Sequence, residues 1–233
     1  AARPDLEVTV SLAGRVKAIV PHPVPIRVGG FGGIEGLAAY LAEGHVDLLV
    51  DATHPFADRI SANAVGAAAR AGVPLLVLRR APWAALPGDR WTEVGDVSAA
   101  AAALGPGRRR VFLALGRQEV AAFAAAPGHF YLVRSIDPIA ERTLPDAVYI
   151  EARGPFDEAE ERALMETHRI DTLVARNSGG SAGYGKIAAA RSLRIPVVMI
   201  EPPSAGAAPA VGDVDAAVAA IDHSGTWRTA RGE

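Results

Sequence analysis

Short apolar runs and amphipathic stretches alternate along almost the whole chain. Strand-like runs lie at Glu7–Val10, Ile26–Val28, Val46–Val50, Leu75–Leu78 and Arg90–Val94, with helical spacing over Ile34–Glu43 and Asp58–Arg70. Gly72-Val73-Pro74 makes a compact helix-to-strand connection of the kind glycine and proline favour. An alanine-rich helix near Val97–Leu104 runs into Gly105-Pro106-Gly107, punctuation that suggests a domain boundary. In the second half, apolar runs at Val111–Leu115, Phe130–Val133, Ala147–Ile150, Thr172–Ala175 and Val197–Ile200 continue the theme. Helical patterns near Glu119–Ala126, Asp157–His168, Lys186–Leu193 and Val214–Ile221 alternate with them. Strands separated by single helices imply right-handed crossovers and mostly parallel sheets. The expected fold is α/β: two Rossmann-like parallel-sheet domains, residues 1–106 and 107–233, with an interdomain cleft.

Polar residues are spread unevenly over this frame. The run Asp47–Val50 stops in Asp51, Thr53 and His54 before Pro55 opens the next helical pattern. Ser11–Arg15 follows the first strand and Gly29–Gly33 the second, while Gly116-Arg117 and Arg176–Gly180 follow two strands of the second half. Ligands of parallel α/β sheets bind beyond the carboxyl ends of the strands. Five strand ends carrying glycine, hydroxyl, amide or arginine groups are therefore candidates for one binding surface. Any single one of them, Asp51 or Thr53 for instance, also serves simply as a helix cap.

Composition narrows the chemistry. Half of the 233 residues are hydrophobic and 21% are charged, enough for a sizeable core. A formal net charge of −2 argues against nucleic acid as a partner, and the run Arg108-Arg109-Arg110 reads as a solvated loop. With no cysteine, disulfides, thiol nucleophiles and thiolate metal sites are excluded. The six histidines are scattered, so a dedicated metal site is not expected. No apolar run is long enough to span a bilayer, and the chain reads as soluble and cytoplasmic. It begins Ala1-Ala2-Arg3-Pro4 without an initiator methionine, and an additional N-terminal segment is expected before it.

Gly29–Gly33 lies between strand and helix, where free N–H groups and the helix dipole attract anions. It departs from G-x-G-x-x-G, because Glu35 stands where the third glycine belongs. Arg15 sits where a doubly wound domain meets the adenosine ribose; an arginine there suits a 2′-phosphate, favouring NADP over NAD. Gly180–Lys186 imitates a Walker A loop, yet Ile187 offers no hydroxyl for Mg²⁺. What survives is a loop of backbone donors with Tyr184 and Lys186, suited to carboxylates or phosphates. His54 beside Asp51 can act as a proton donor or merely bond to backbone.

Taken together, Ser11–Arg15, Gly29–Gly33, Asp51–Ala57, Ile60–Ala64, Asn177–Gly180 and Gly183–Lys186 resemble the precorrin-6A reductase family of cobalamin biosynthesis. The resemblance implies NADPH-dependent reduction of one double bond in a tetrapyrrole, a corrin precursor with or without cobalt. It also implies roles. The catalytic candidates are Asp51 and His54: either of them, or water, would supply the proton, and the sequence does not choose. Ser11 and Arg15 would grip the 2′-phosphate end of the cofactor, while Gly30, Phe31, Gly32 and Thr53 line its nicotinamide half. Arg117, Asn177, Ser178, Gly179, Gly180, Tyr184 and Lys186 would hold the substrate's peripheral carboxylates. The family usually opens with a strand and a Gly-Gly-Thr-x-Glu loop, for which this chain has no counterpart. Rival readings are a P-loop-like nucleotide hydrolase and a non-enzymatic nucleotide-binding module. Oligomeric state is not readable from the sequence.

Overall fold

A computed structural model describes residues 5–14, 22–136, 138–139, 141–203 and 208–223. They form two compact units, and neither is contiguous in sequence. The first comprises residues 1–53, 57–78 and 207–233, the second residues 54–56 and 79–206. The chain thus leaves the first unit after Leu78, well before the boundary expected at residue 106, and returns to it after Gly206. The reason is strand pairing, described below.

In the first unit, β1 (Val10–Leu12) pairs in parallel with β2 (Ile26–Val28). The strand expected at Glu7–Val10 lies further along, because Gly29 N–H bonds to Leu12 O and Val10 N–H to Pro25 O. A second parallel sheet has the order β11-β4-β3, from Ala210–Val211, Leu75–Leu78 and Leu49–Asp51. Helices α1 (Ile34–Glu43) and α2 (Asp58–Ala71) pack together through Leu37, Ala38, Leu41, Ala64 and Ala67. Gly72 ends α2 in the left-handed conformation with φ 64°, which costs a glycine little.

The second unit is built on six parallel strands in the order β5-β10-β9-β6-β7-β8: Trp91–Val94, Val197–Ile200, Thr172–Arg176, Arg110–Ala114, Phe130–Ser135 and Ala147–Glu151. Neighbouring residues along the four central strands, β10, β9, β6 and β7, face opposite sides, and both sides are buried. Val111, Leu113, Tyr131, Val133, Val174 and Val198 meet α3 (Val97–Ala103) and a 3-10 turn at Val120–Ala125 on one side. Phe112, Leu132, Leu173, Ala175 and Met199 meet α4 (Glu158–Thr167) and α5 (Gly185–Ser192) on the other. Each such buried side chain contributes about 1.5–3 kcal/mol. Two-sided burial explains why these strands read as unbroken apolar runs. Asp157 and Glu160 close a capping box at the start of α4.

Two segments change sheets relative to the sequence halves. Strand β5 pairs with β10 in the second unit, while β11, followed by α6 (Val214–His223), pairs with β4 in the first. Helix α3 follows β5 into the second core. The arginine run is not a solvated loop either. Arg110 starts β6, bonds His168 O and lies 3.8 Å over the Phe130 ring, and Arg109 bonds Leu104 O.

Candidate active site

In the second unit β6 is the turning point of the topology. From it β7 and β8 run to one side, β9 and β10 to the other. Ligands of parallel α/β sheets bind beyond the carboxyl ends of the strands at such a turning point. Gly116 N–H and the Arg176 guanidinium both bond Glu119, Arg176 through Nε at 2.9 Å, so one carboxylate ties the two loops together. Arg176 also lies 4.8 Å over the Phe56 ring. Phe56 packs on the core of this unit, which carries His54 with it. Phe56 N–H donates to His54 Nδ1 at 3.3 Å, leaving the imidazole proton on Nε2. His54 is an exposed residue. Partial loss of hydration, followed by the fields of Arg176, Arg80 and Lys186, holds its pKa down at about 4. His54 is therefore neutral at pH 7.

The loop after β9 is shaped by the segment 80–83. The Asn177 side chain, 2% exposed, accepts from Trp83 N–H at 2.6 Å and donates to Trp83 O at 3.0 Å and to Glu201 at 3.1 Å. Trp83 Nε1 donates to Gly180 O at 2.8 Å. Gly179 and Gly180 have φ of 64° and 73°, and a Cβ on Gly179 would sit 2.1 Å from Ala81 O. No other residue allows this approach. Lys186 is buried; it donates to Gly183 O at 2.6 Å and lies 5.2 Å from the Trp83 ring. Burial lowers its pKa to about 8 against the pull of Glu161. The Tyr184 hydroxyl accepts from Arg191, which also binds Asp89.

The expected ligand set thus divides. Asn177 spends its amide on Trp83 and Glu201, the Tyr184 hydroxyl accepts from Arg191, and Lys186 donates within its own loop. Arg117 is exposed just past β6, and Ser178 and Gly180 are half-buried on either side of buried Gly179. The Walker-like reading fails for the same reason: the Lys186 ammonium is turned into its own loop.

In the first unit, β2 feeds Gly29–Gly33 into α1, whose N-terminus has no side-chain cap. Its first N–H groups are open to an anion. Added Cβ atoms at Gly29, Gly30, Gly32 and Gly33 would meet nothing within 4 Å, whereas one on Gly36 would lie 1.7 Å from Phe31 O. Arg27, which sequence reasoning missed, braces this loop. It donates to Gly29 O at 2.6 Å and Gly30 O at 2.8 Å and stacks 3.7 Å over Phe31. Asp51, 6% exposed, accepts from Thr53 N–H at 3.0 Å and from Thr53 Oγ1 at 2.6 Å; Thr53 Oγ1 lies 3.2 Å from Ser61 Oγ. Ser11 is exposed in the middle of β1. Arg15 lies outside the described residues.

A family model described as precorrin-6x reductase CbiJ/CobK matches residues 1–222. The chain belongs to that family. A precorrin-6A reductase of Sinorhizobium sp is 54% identical over 218 residues, 93% of this chain and 84% of the relative. The solved structure of a CobK precorrin-6A reductase superposes with a TM-score of 0.89 at 45% identity, covering 93% of this chain and 87% of that one. A cobalt-precorrin-6A reductase of Priestia megaterium is 28% identical over 180 residues, 72% of this chain and 70% of the relative. As a member of the precorrin-6x reductase family the chain is an oxidoreductase of cobalamin biosynthesis, which sets aside the hydrolase and binding-module readings. Among the described residues no helix is long and apolar enough to cross a membrane.

Proposed function

We infer that this chain reduces one double bond of metal-free precorrin-6A with NADPH, giving the dihydro product. The observation that carries the reading is the rim at the β6–β9 turning point of the second unit. There Arg176 lies over Phe56, two residues from His54, and Arg80 lies on the glycine-rich loop. Such a rim fits a substrate bearing several carboxylates, for which fixed charge and backbone donors are needed. Relatives named for the metal-free substrate match far more closely than those named for the cobalt form, which supports the metal-free choice.

The first unit suits the cofactor. Bare glycine backbone at 29–33 and an uncapped helix N-terminus fit a phosphate-linked ligand. Ser11, Gly30, Phe31, Gly32 and Thr53 would hold it, with Arg15 reading the 2′-phosphate. When bound, NADPH supplies the hydride. Arg27 keeps the glycine loop in shape, and Asp51 orders the turn through Thr53. Arg117, Ser178, Gly179 and Gly180 would contact the macrocycle, with Asn177, Tyr184 and Lys186 fixing the loop they stand on. His54 would give the proton to the neighbouring carbon. Burial is the main cause of the ring's low pKa, and an anionic substrate would offset the lesser part that comes from the nearby cations. As a soluble biosynthetic enzyme it would work in the cytoplasm.

The test is anaerobic incubation of the protein with NADPH and precorrin-6A, following reduced-nicotinamide absorbance and product mass. One NADPH should be consumed per macrocycle, and the product should be two hydrogens heavier. NADH should serve poorly. No consumption with the metal-free macrocycle would end the proposal.

A further inference from the structure

The chain that follows β4, Arg79-Arg80-Ala81-Pro82-Trp83, enters the second unit as a strap across the glycine loop after β9. It is held at several points. Trp83 is bonded through both backbone groups to Asn177 and through its indole to Gly180 O. Arg79 reaches Pro203 O at 3.1 Å. Further along, Asp89 binds Leu86 N–H and Arg191. A strap pinned this firmly is a rigid mount for whatever it displays.

It displays Arg80. The side chain is exposed and lies on Gly180, where a Cβ would come within 2.9 Å of Arg80 Cδ and 3.2 Å of NH1. Three other arginines of this unit have carboxylates: Arg176 has Glu119, Arg134 has Glu161, Arg191 has Asp89. Among the described residues Arg80 has no ion-pair partner. Its charge is felt at His54 together with those of Arg176 and Lys186. A guanidinium fork on a fixed strap, beside glycine N–H groups, is matched in shape to a carboxylate.

We propose that Arg80 is a substrate-binding residue that takes a peripheral carboxylate of the macrocycle over the Gly179–Gly180 loop, near His54. The inference rests on the reading of the chain as a reductase of a polycarboxylated tetrapyrrole. Arg80 orients that carboxylate bidentately, and the strap transmits the precision of the Asn177 anchor to the substrate. Its partner charge arrives with the ligand.

Two variants test this, Arg80→Gln and Arg80→Lys, assayed in the full chain with precorrin-6A and NADPH. Arg80→Gln should raise KM for the macrocycle about tenfold or more while leaving KM for NADPH unchanged, and Arg80→Lys should recover part of the loss. Added salt should weaken macrocycle binding less steeply in Arg80→Gln than in the parent. A binding titration with uroporphyrin, a stable polycarboxylated macrocycle, followed by tryptophan quenching, needs no turnover and should show the same order. A macrocycle KM within twofold of the parent, with unchanged uroporphyrin binding, would overturn the assignment while leaving the reductase reading intact. So would equal losses for both substrates accompanied by a lowered Tm. Tight uroporphyrin binding that depends on Arg80, in a parent unable to oxidise NADPH, would instead uphold the carboxylate site and defeat the reductase reading.

Discussion

Asn177→Ala is the most informative single change. The amide makes three hydrogen bonds from a side chain only 2% exposed, two of them to the backbone of Trp83. Truncation removes their net worth, about 1 kcal/mol each, and leaves Trp83 N–H and C=O without partners at about 1–3 kcal/mol apiece unless water enters. Because the contact is only partly buried, water recovers some of that, and the expected loss is about 3 kcal/mol. For a protein of this size that corresponds to roughly 6–12 °C in Tm. Urea unfolding followed by tryptophan emission includes the second unit, where two of the three tryptophans, Trp83 and Trp91, lie. Asn177→Asp separates the bonds. It keeps the acceptor for Trp83 N–H, loses the donor to Trp83 O and sets a second carboxylate beside Glu201, so it should be at least as damaging. A change under about 0.5 kcal/mol in Asn177→Ala would show that the strap is not held by this residue, and the account of the rim would have to be rebuilt.

Other substitutions probe neighbouring parts. Glu161→Gln leaves Arg134 charged between Phe112 and Phe156 with its carboxylate partner gone; a cost of about 3–5 kcal/mol in urea unfolding is expected. Gly179→Ala should unfold the loop more readily than Gly180→Ala, since the first meets a backbone carbonyl and the second the flexible Arg80 side chain; the check is the Tm of each. His54 should make stability fall with acid. Its native pKa of about 4 lies below its unfolded value near 6.5, so the unfolded chain takes up the proton first. The contribution is complete above pH 6.5 and lost as pH drops toward 4. His54→Gln should flatten that part of the stability–pH curve, and an unchanged curve would refute it.

Much of this was legible beforehand. The central strand ends are visible because two-sided burial makes each of those strands an unbroken apolar run, and its polar stop marks where the sheet ends. Gly29–Gly33 and Gly179–Gly180 stood out because glycine is costly unless the backbone needs it. What stayed hidden depends on distant pairing. Arg27 and Arg80 look like any exposed arginine until their neighbours are known, though Arg80 follows the end of β4, where the rule used elsewhere would have flagged it. Asn177 read as a ligand contact because an amide that grips backbone and one that grips substrate are written alike. The 3-10 turn at Val120–Ala125 was read as ordinary helix, since a short alanine-rich stretch suits both. No local signal announces β11, two residues long, or tells β5 which sheet to join.

The exchange of β5 and β11 bears on how the protein is made. Emerging from the ribosome, the amino-terminal portion lacks the strand and helix that complete its own sheet until residue 223 has been synthesised. The first unit therefore finishes folding last, after the second, whose strands are all present by residue 200. Splitting the gene at the glycine-proline punctuation near residue 106 would give two polypeptides, each missing a strand that the other carries.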